Sequence, residues 1–134
     1  MPTLLPVSAL LVVGCGSPSG PHVPILDGPW SGETVLDGTS YLVRMELETA
    51  GQTSGVSFNM KGEGTLVVEG AESPFQVTGD YGHRSGWSFD FSFVVSGAET
   101  YGYEGVIPSD ERLQGTLSRQ PQGASAFLLM TPSR

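Results

Sequence analysis

The chain holds one thiol, Cys15, and two imidazoles, His22 and His83. Nucleophilic catalysis needs a serine or cysteine with a base within hydrogen-bond reach. His22 stands in a Gly/Ser/Pro-rich stretch, and His83 falls in a turn beside Arg84 and Asp80. A solvated turn cluster is the expected reading of His83, not a general base. No His-Glu-x-x-His, Cys-x-x-Cys or Asp-x-Asp-x-Asp-Gly spacing occurs, so neither a dedicated metal site nor a cofactor is expected. Gly62-Glu63-Gly64 lacks the further glycine and the helix that a phosphate cradle requires. Paired carboxylates could serve glycoside hydrolysis. Glu46 and Glu48, and likewise Asp80, Asp90 and Glu104, alternate with apolar residues and are expected to point outward into water. The chain is therefore expected not to be an enzyme.

Cys15 has a different chemistry open to it. Leu10-Leu11-Val12-Val13-Gly14-Cys15-Gly16-Ser17 resembles a bacterial lipobox, which directs cleavage before the cysteine and attachment of fatty acyl chains such as palmitate. The apolar run Leu4–Val13 has the length of a signal-peptide core and is well short of the ~20 residues of a membrane-spanning helix. The resemblance implies a signal peptide over 1–14 and a flexible tether over 15–24, with a domain over 25–134. It also implies a lipid anchor on Cys15 in the cell envelope. Gly16, where an Asp would favour inner-membrane retention by analogy with proteobacterial lipoproteins, points to the outer membrane or cell surface. A lone cysteine excludes an intramolecular disulfide, so stability must come from the core.

The formal charge of −8 lies wholly beyond residue 14, and only six residues are Lys or Arg. Such a chain is a poor candidate for wrapping nucleic acid or for docking on anionic lipid through a basic patch. Attachment to a membrane would rest on acyl chains. The charge otherwise serves solubility.

The elements that position these residues read as strands. Trp87-Ser88-Phe89-Asp90-Phe91-Ser92-Phe93-Val94-Val95 places large apolar residues at every odd position, as a sheet with one buried and one wet face demands. Tyr41–Glu48 repeats the pattern, with Tyr41, Val43, Met45 and Leu47 inward and Arg44, Glu46 and Glu48 outward. Six further strands are expected near Trp30–Leu36, Val56–Val68, Phe75–Tyr81, Tyr101–Ile107, Leu113–Ser118 and Ala126–Thr131. Turns are expected at Leu36-Asp37-Gly38-Thr39, Ala50-Gly51-Gln52, Gly70–Pro74, Gly82–Gly86, Ser96-Gly97, Pro108–Glu111 and Pro121-Gln122-Gly123. Asp-Gly and Ser-Gly pairs supply positive φ, and Pro74, Pro108 and Pro121 are expected to stop strand pairing. Lys61-Gly62-Glu63-Gly64 could be a turn. Yet Val56, Phe58, Met60, Leu66 and Val68 keep one parity across it, so a single bent strand and a total of eight are expected.

Short loops favour antiparallel neighbours, and glycines on the apolar side of several strands mark where a small barrel must bend. The fold expected is all-β, an eight-stranded antiparallel up-and-down barrel. A membrane-spanning barrel fits less well, because it would line its lumen with Arg44, Glu46, Glu48 and Asp90. Gly28-Pro29-Trp30-Ser31-Gly32 resembles the Gly-x-Trp opening of the calycin group, the lipocalins and avidins. Val77-Thr78-Gly79-Asp80-Tyr81 with Ser85-Gly86-Trp87 looks like the middle of an avidin barrel. The resemblance implies a calycin-like form; biotin binding is not carried over, since the only tryptophans are Trp30 and Trp87. Rings dominate the inner face, and Tyr81, Trp87, Phe89, Phe91, Tyr101 and Tyr103 are the candidate ligand-contacting residues. A filled core is the favoured expectation over a hollow lumen. The function expected is a non-catalytic structural or interaction role for a lipid-anchored envelope protein, its partners the membrane and a further protein. The alternative is a lipocalin-like carrier of a small apolar ligand.

Overall fold

A computed structural model describes residues 22–95, 99–120 and 123–133. The lipobox with Cys15, the Ser96-Gly97 turn and Pro121-Gln122 lie outside the described residues. Two-residue alternation builds eight strands: β1 (Gly28–Leu36), β2 (Thr39–Ser54), β3 (Ser57–Val68), β4 (Ala71–His83), β5 (Trp87–Val95), β6 (Thr100–Ser109), β7 (Arg112–Gln120) and β8 (Ser125–Pro132). Each pairs antiparallel with the next, and β8 returns to β1, closing an up-and-down barrel. The closing seam pairs Trp30 with Pro132 and Ser31 with Thr131, and it is extended by Ser133 N donating to the Pro29 carbonyl and Thr34 Oγ1 donating to the Phe127 carbonyl. Closure removes the free edges that an open sheet would expose.

The parity read from the sequence is the parity of the barrel. Tyr41, Val43, Met45 and Leu47 are buried, as are Phe89, Phe91, Phe93 and Val95, while Arg44, Glu46, Glu48 and Asp90 are exposed. No charged side chain among the described residues is buried. An apolar centre and a charged outer wall are the reverse of what a lipid-spanning barrel presents.

β3 runs unbroken through Lys61-Gly62-Glu63-Gly64, so the count is eight. Glycine is required where the wall bends. Gly105 and Gly115 face each other across β6 and β7. A β-carbon on either would overlap the other strand's carbonyl, of Gln114 or of Glu104. The Phe89 ring lies over the place a Gly115 side chain would take, 3.0 Å away, so an aromatic ring from β5, two strands away, fills the missing volume. Gly64 opposite Phe75 and Gly79 opposite Phe91 repeat the device.

Three expected breaks are corrected. The β2–β3 turn is not at Ala50-Gly51-Gln52 but at Gly55-Val56; β2 continues through register shifts at Thr49/Gly51 and Gln52/Ser54. That overhang projects past the core, so burial imposes no alternation on it. The β3–β4 turn is Glu69-Gly70, both at positive φ (53° and 83°), and Ala71–Pro74 already belongs to β4. Pro74 is accommodated because it pairs with Thr65 on β3 but lies beyond the last β4–β5 pair, Phe75–Val95. Pro108 lies inside β6, although the β6–β7 ladder does break between Val106 and Ser109. The Asp37-Gly38 hairpin has the expected positive φ at both residues, 55° and 80°, which suits the twist of paired strands.

Candidate functional site

The barrel distributes the six candidate ring residues along its axis. Phe89, Phe91 and Tyr103 occupy the middle, with ring centroids 5.0 Å (Phe89–Phe91) and 4.7 Å (Phe89–Tyr103) apart. Tyr103 is fully buried, and its hydroxyl donates to the Leu128 carbonyl at 2.8 Å with the Leu113 carbonyl 3.1 Å away. Burial lifts its pKa far above the usual phenol value, because a phenolate there would lose its hydration. The most polar atom at the centre is thus bound to backbone.

Tyr81 and Trp87 stand at the end of the barrel where β1, β3, β5 and β7 begin. Tyr81 stacks on Phe58 (5.1 Å), and Trp87 lies 5.9 Å from Tyr81 and 5.2 Å from His83. The Tyr81 hydroxyl donates to the Pro24 carbonyl at 2.8 Å, and Trp30 Nε1 donates to the Leu26 carbonyl at 2.7 Å. The segment His22–Asp27 therefore crosses this end as a strap. Leu26 enters the core with no exposed surface. His22 Nε2 lies 2.9 Å from the Asp110 carboxylate on the β6–β7 turn, and Asp27 accepts from Thr49 N and Oγ1 on β2 at 2.9 and 2.6 Å. Desolvation, then the carboxylates of Asp27 and Asp110, push the Tyr81 hydroxyl up to about 12. His22–Pro24, expected within the tether, are the first residues of this strap. Trp87 Nε1 is buried without a hydrogen-bond partner.

Tyr101 belongs to the opposite end. Its hydroxyl donates to Glu99 at 2.7 Å and its ring meets Tyr41 edge-on at 6.1 Å. Burial and the Glu99 hydrogen bond together raise its pKa well beyond the ordinary range. Arg119 spans the opening, 3.4 Å from Tyr41 Oη, 3.6 Å from Asp37 and 4.0 Å from Glu99. Sequence reasoning passed over Arg119 and the strap. The first was visible in principle, since Leu113, Gly115 and Leu117 set an inward parity that Arg119 continues. Leu26 had no such signal, because it precedes the first strand.

On the outer wall, a shallow depression over β4–β6 is lined by Val56, Ser57, Asp80, His83, Ser88 and Val106 among others. It assembles the residue types of a hydrolytic relay. Yet the His83 side chain makes no hydrogen bond to Asp80 or to either serine; it packs edge-on against Trp87 (65°). Asp80, Asp90 and Glu104 stand directly opposite one another across three strands and are exposed, as expected. No group of three or more His, Cys, Asp or Glu among the described residues is arranged to hold a metal ion.

No protein-family model matches the chain, and no curated protein does either. Solved structures of similar fold include redesigned β-barrels. A redesigned β-barrel, b11L5F_LGL, is 14% identical with a TM-score of 0.57, covering 81% of this chain and 92% of that one. The redesigned barrel mFAP1 bound to DFHBI is 10% identical with a TM-score of 0.55, covering 81% and 94%. EF1p2_mFAP2b bound to DFHBI gives 10%, 0.54 and the same coverage. At these identities the likeness is one of fold.

Proposed function

We propose that this chain is a lipid-anchored protein of a bacterial cell envelope, held through acyl chains on Cys15, with a non-catalytic structural or interaction role. The lipobox residues Leu10–Cys15 support the anchor. The observation that carries the non-catalytic, non-carrier part is the state of the interior. The interior is one cluster of buried apolar side chains contributed by all eight strands and the strap. The polar handles of Trp30, Tyr81 and Tyr103 are satisfied by the chain's own carbonyls. A core that binds itself in this way leaves the outer wall and the ends for partners. The calycin-like opening at Gly28–Gly32 belongs to this reading as a matter of form only.

A second reading, a carrier of a small apolar ligand, is favoured by one feature. Trp87 Nε1 is a buried donor with no acceptor, and two barrels of the same fold were solved bound to DFHBI. A ligand with an acceptor atom at the strapped end would satisfy it.

Intact mass spectrometry on protein purified from its own envelope tests both. The expected spectrum shows acyl mass on Cys15 and no companion molecule, and Cys15→Ser moves the protein to the soluble fraction. A Cys15→Ser variant that still sediments with membranes would overturn the anchor. A stoichiometric small molecule released on denaturation would replace the first reading with the carrier.

A further inference from the structure

We propose that the strapped end of the barrel, crossed by His22–Asp27, docks against the lipid surface that holds Cys15. This rests on the acylation of Cys15 proposed above. Three independent observations point to that end and to that occupant.

The first is where the chain leaves. Six residues separate Cys15 from His22, and His22 is tied to Asp110 on the β6–β7 turn. Seven chain steps at ~3.3–3.6 Å each reach at most about 25 Å. The strapped end therefore stays within that distance of the bilayer.

The second is apolar exposure. Ile25 on the strap is 69% exposed, and Val23 beside it is also exposed. Val56 at the tip of the β2–β3 turn and Val106 near the end of β6 are exposed as well, and both line the same depression with His83. The Val56 carbonyl accepts from His83 N at 2.9 Å, so the turn tip is fixed rather than free to fold back. Side chains of this kind at one end of a rigid cylinder suit shallow burial at the headgroup boundary.

The third is charge. The turns and strand ends at the far end carry Asp37, Glu69, Glu72 and Glu99, and Arg119, the cation there, is already drawn to Asp37 and Glu99. At the strapped end Arg84 and Arg112 stand against three carboxylates, Asp27, Asp110 and Glu111, so that end carries less net negative charge than the far end, where Arg119 stands against four. An anionic bilayer repels the far end more strongly and so orients the barrel strap-first. The exposed set Val35, Phe127 and Leu129 on the β1 and β8 flank is the competing surface, and would lay the barrel on its side.

The test uses the full acylated protein in vesicles of phosphatidylethanolamine and phosphatidylglycerol. With Cys15 blocked by lipid, an introduced cysteine is the sole thiol for a fluorescent label. Labels go at Val56→Cys on the strapped end, Phe127→Cys on the flank and Glu72→Cys on the far end. Docked strap-first, the Val56 label lies ~5–10 Å into the headgroup boundary, and brominated acyl chains cut its emission about twofold. The other two labels are unaffected, and adding Ile25→Asp relieves the quenching at Val56. No quenching at Val56, equal quenching at Val56 and Glu72, or quenching at Phe127 alone overturns the docking if the mass spectrum shows acylated Cys15. A chain without acyl mass overturns the anchor itself and, with it, the docking.

Discussion

Tyr81, Tyr101 and Tyr103 show how one side chain type does three jobs in this barrel. Tyr103 fixes β6 to the β7 and β8 backbones, Tyr81 seats the strap, and Tyr101 helps close the far end with Glu99. All three are protonated in the fold well beyond the ordinary phenol range. Raised folded-state pKa values set the sign: the folded chain holds these protons where the unfolded chain, at 10.0, releases them. Stability is then fully present below pH 10 and lost as pH rises through about 12, where Tyr81 titrates. Ultraviolet phenolate absorbance should show part of the tyrosine signal appearing only with unfolding; full ionisation of a still-folded barrel below pH 11, a value between those two limits, counts against it. Alternation placed these rings on the inner face from the sequence alone. It could not give their hydroxyl partners, because a carbonyl from a strap or a distant strand leaves no mark in side-chain periodicity.

The strands owe their curvature to positions where a side chain cannot stand. Gly105→Ala should cost at least about 3 kcal/mol or abolish folding, since the clash is with backbone that cannot rotate away. Gly51→Ala, where nothing lies within 4 Å of the new carbon, should change stability by less than about 0.5 kcal/mol. Urea denaturation of both variants separates the cases; equal midpoints would show that the wall yields at Gly105. Legibility at this scale followed burial. The span Trp87–Val95, with Phe89, Phe91, Phe93 and Val95 buried and Trp87 partly so, was readable to the residue. The end of β2 was not, because Gly51–Ser54 lies outside the core and two register shifts reset its parity. Pro74 misled for a related reason: at a strand end with no neighbour on one side, a missing N–H breaks nothing.

For the molecule as a whole, the strap makes one end of the cylinder part of the core. Leu26 is as buried as any residue within a strand, so Leu26→Ala should lower stability by about 3 kcal/mol. A solvent-denaturation series would detect that loss, and an unchanged midpoint would mean the strap is ornament. The eight-strand closed plan was legible because the strands kept their parity across the buried core and turn residues separated them in the sequence. The ends were not, since His22–Asp27 and Arg119 act through single contacts rather than through a repeating pattern. The seam between β1 and β8 has a consequence for how the protein is made. A cylinder whose first and last staves must meet cannot be sealed until synthesis has delivered nearly the whole polypeptide. Through that interval an unzipped margin faces every sister chain nearby, and only the arrival of the last stave covers it. Mutual repulsion at a net charge of −8 is then what keeps nascent copies from stitching to one another instead of to themselves.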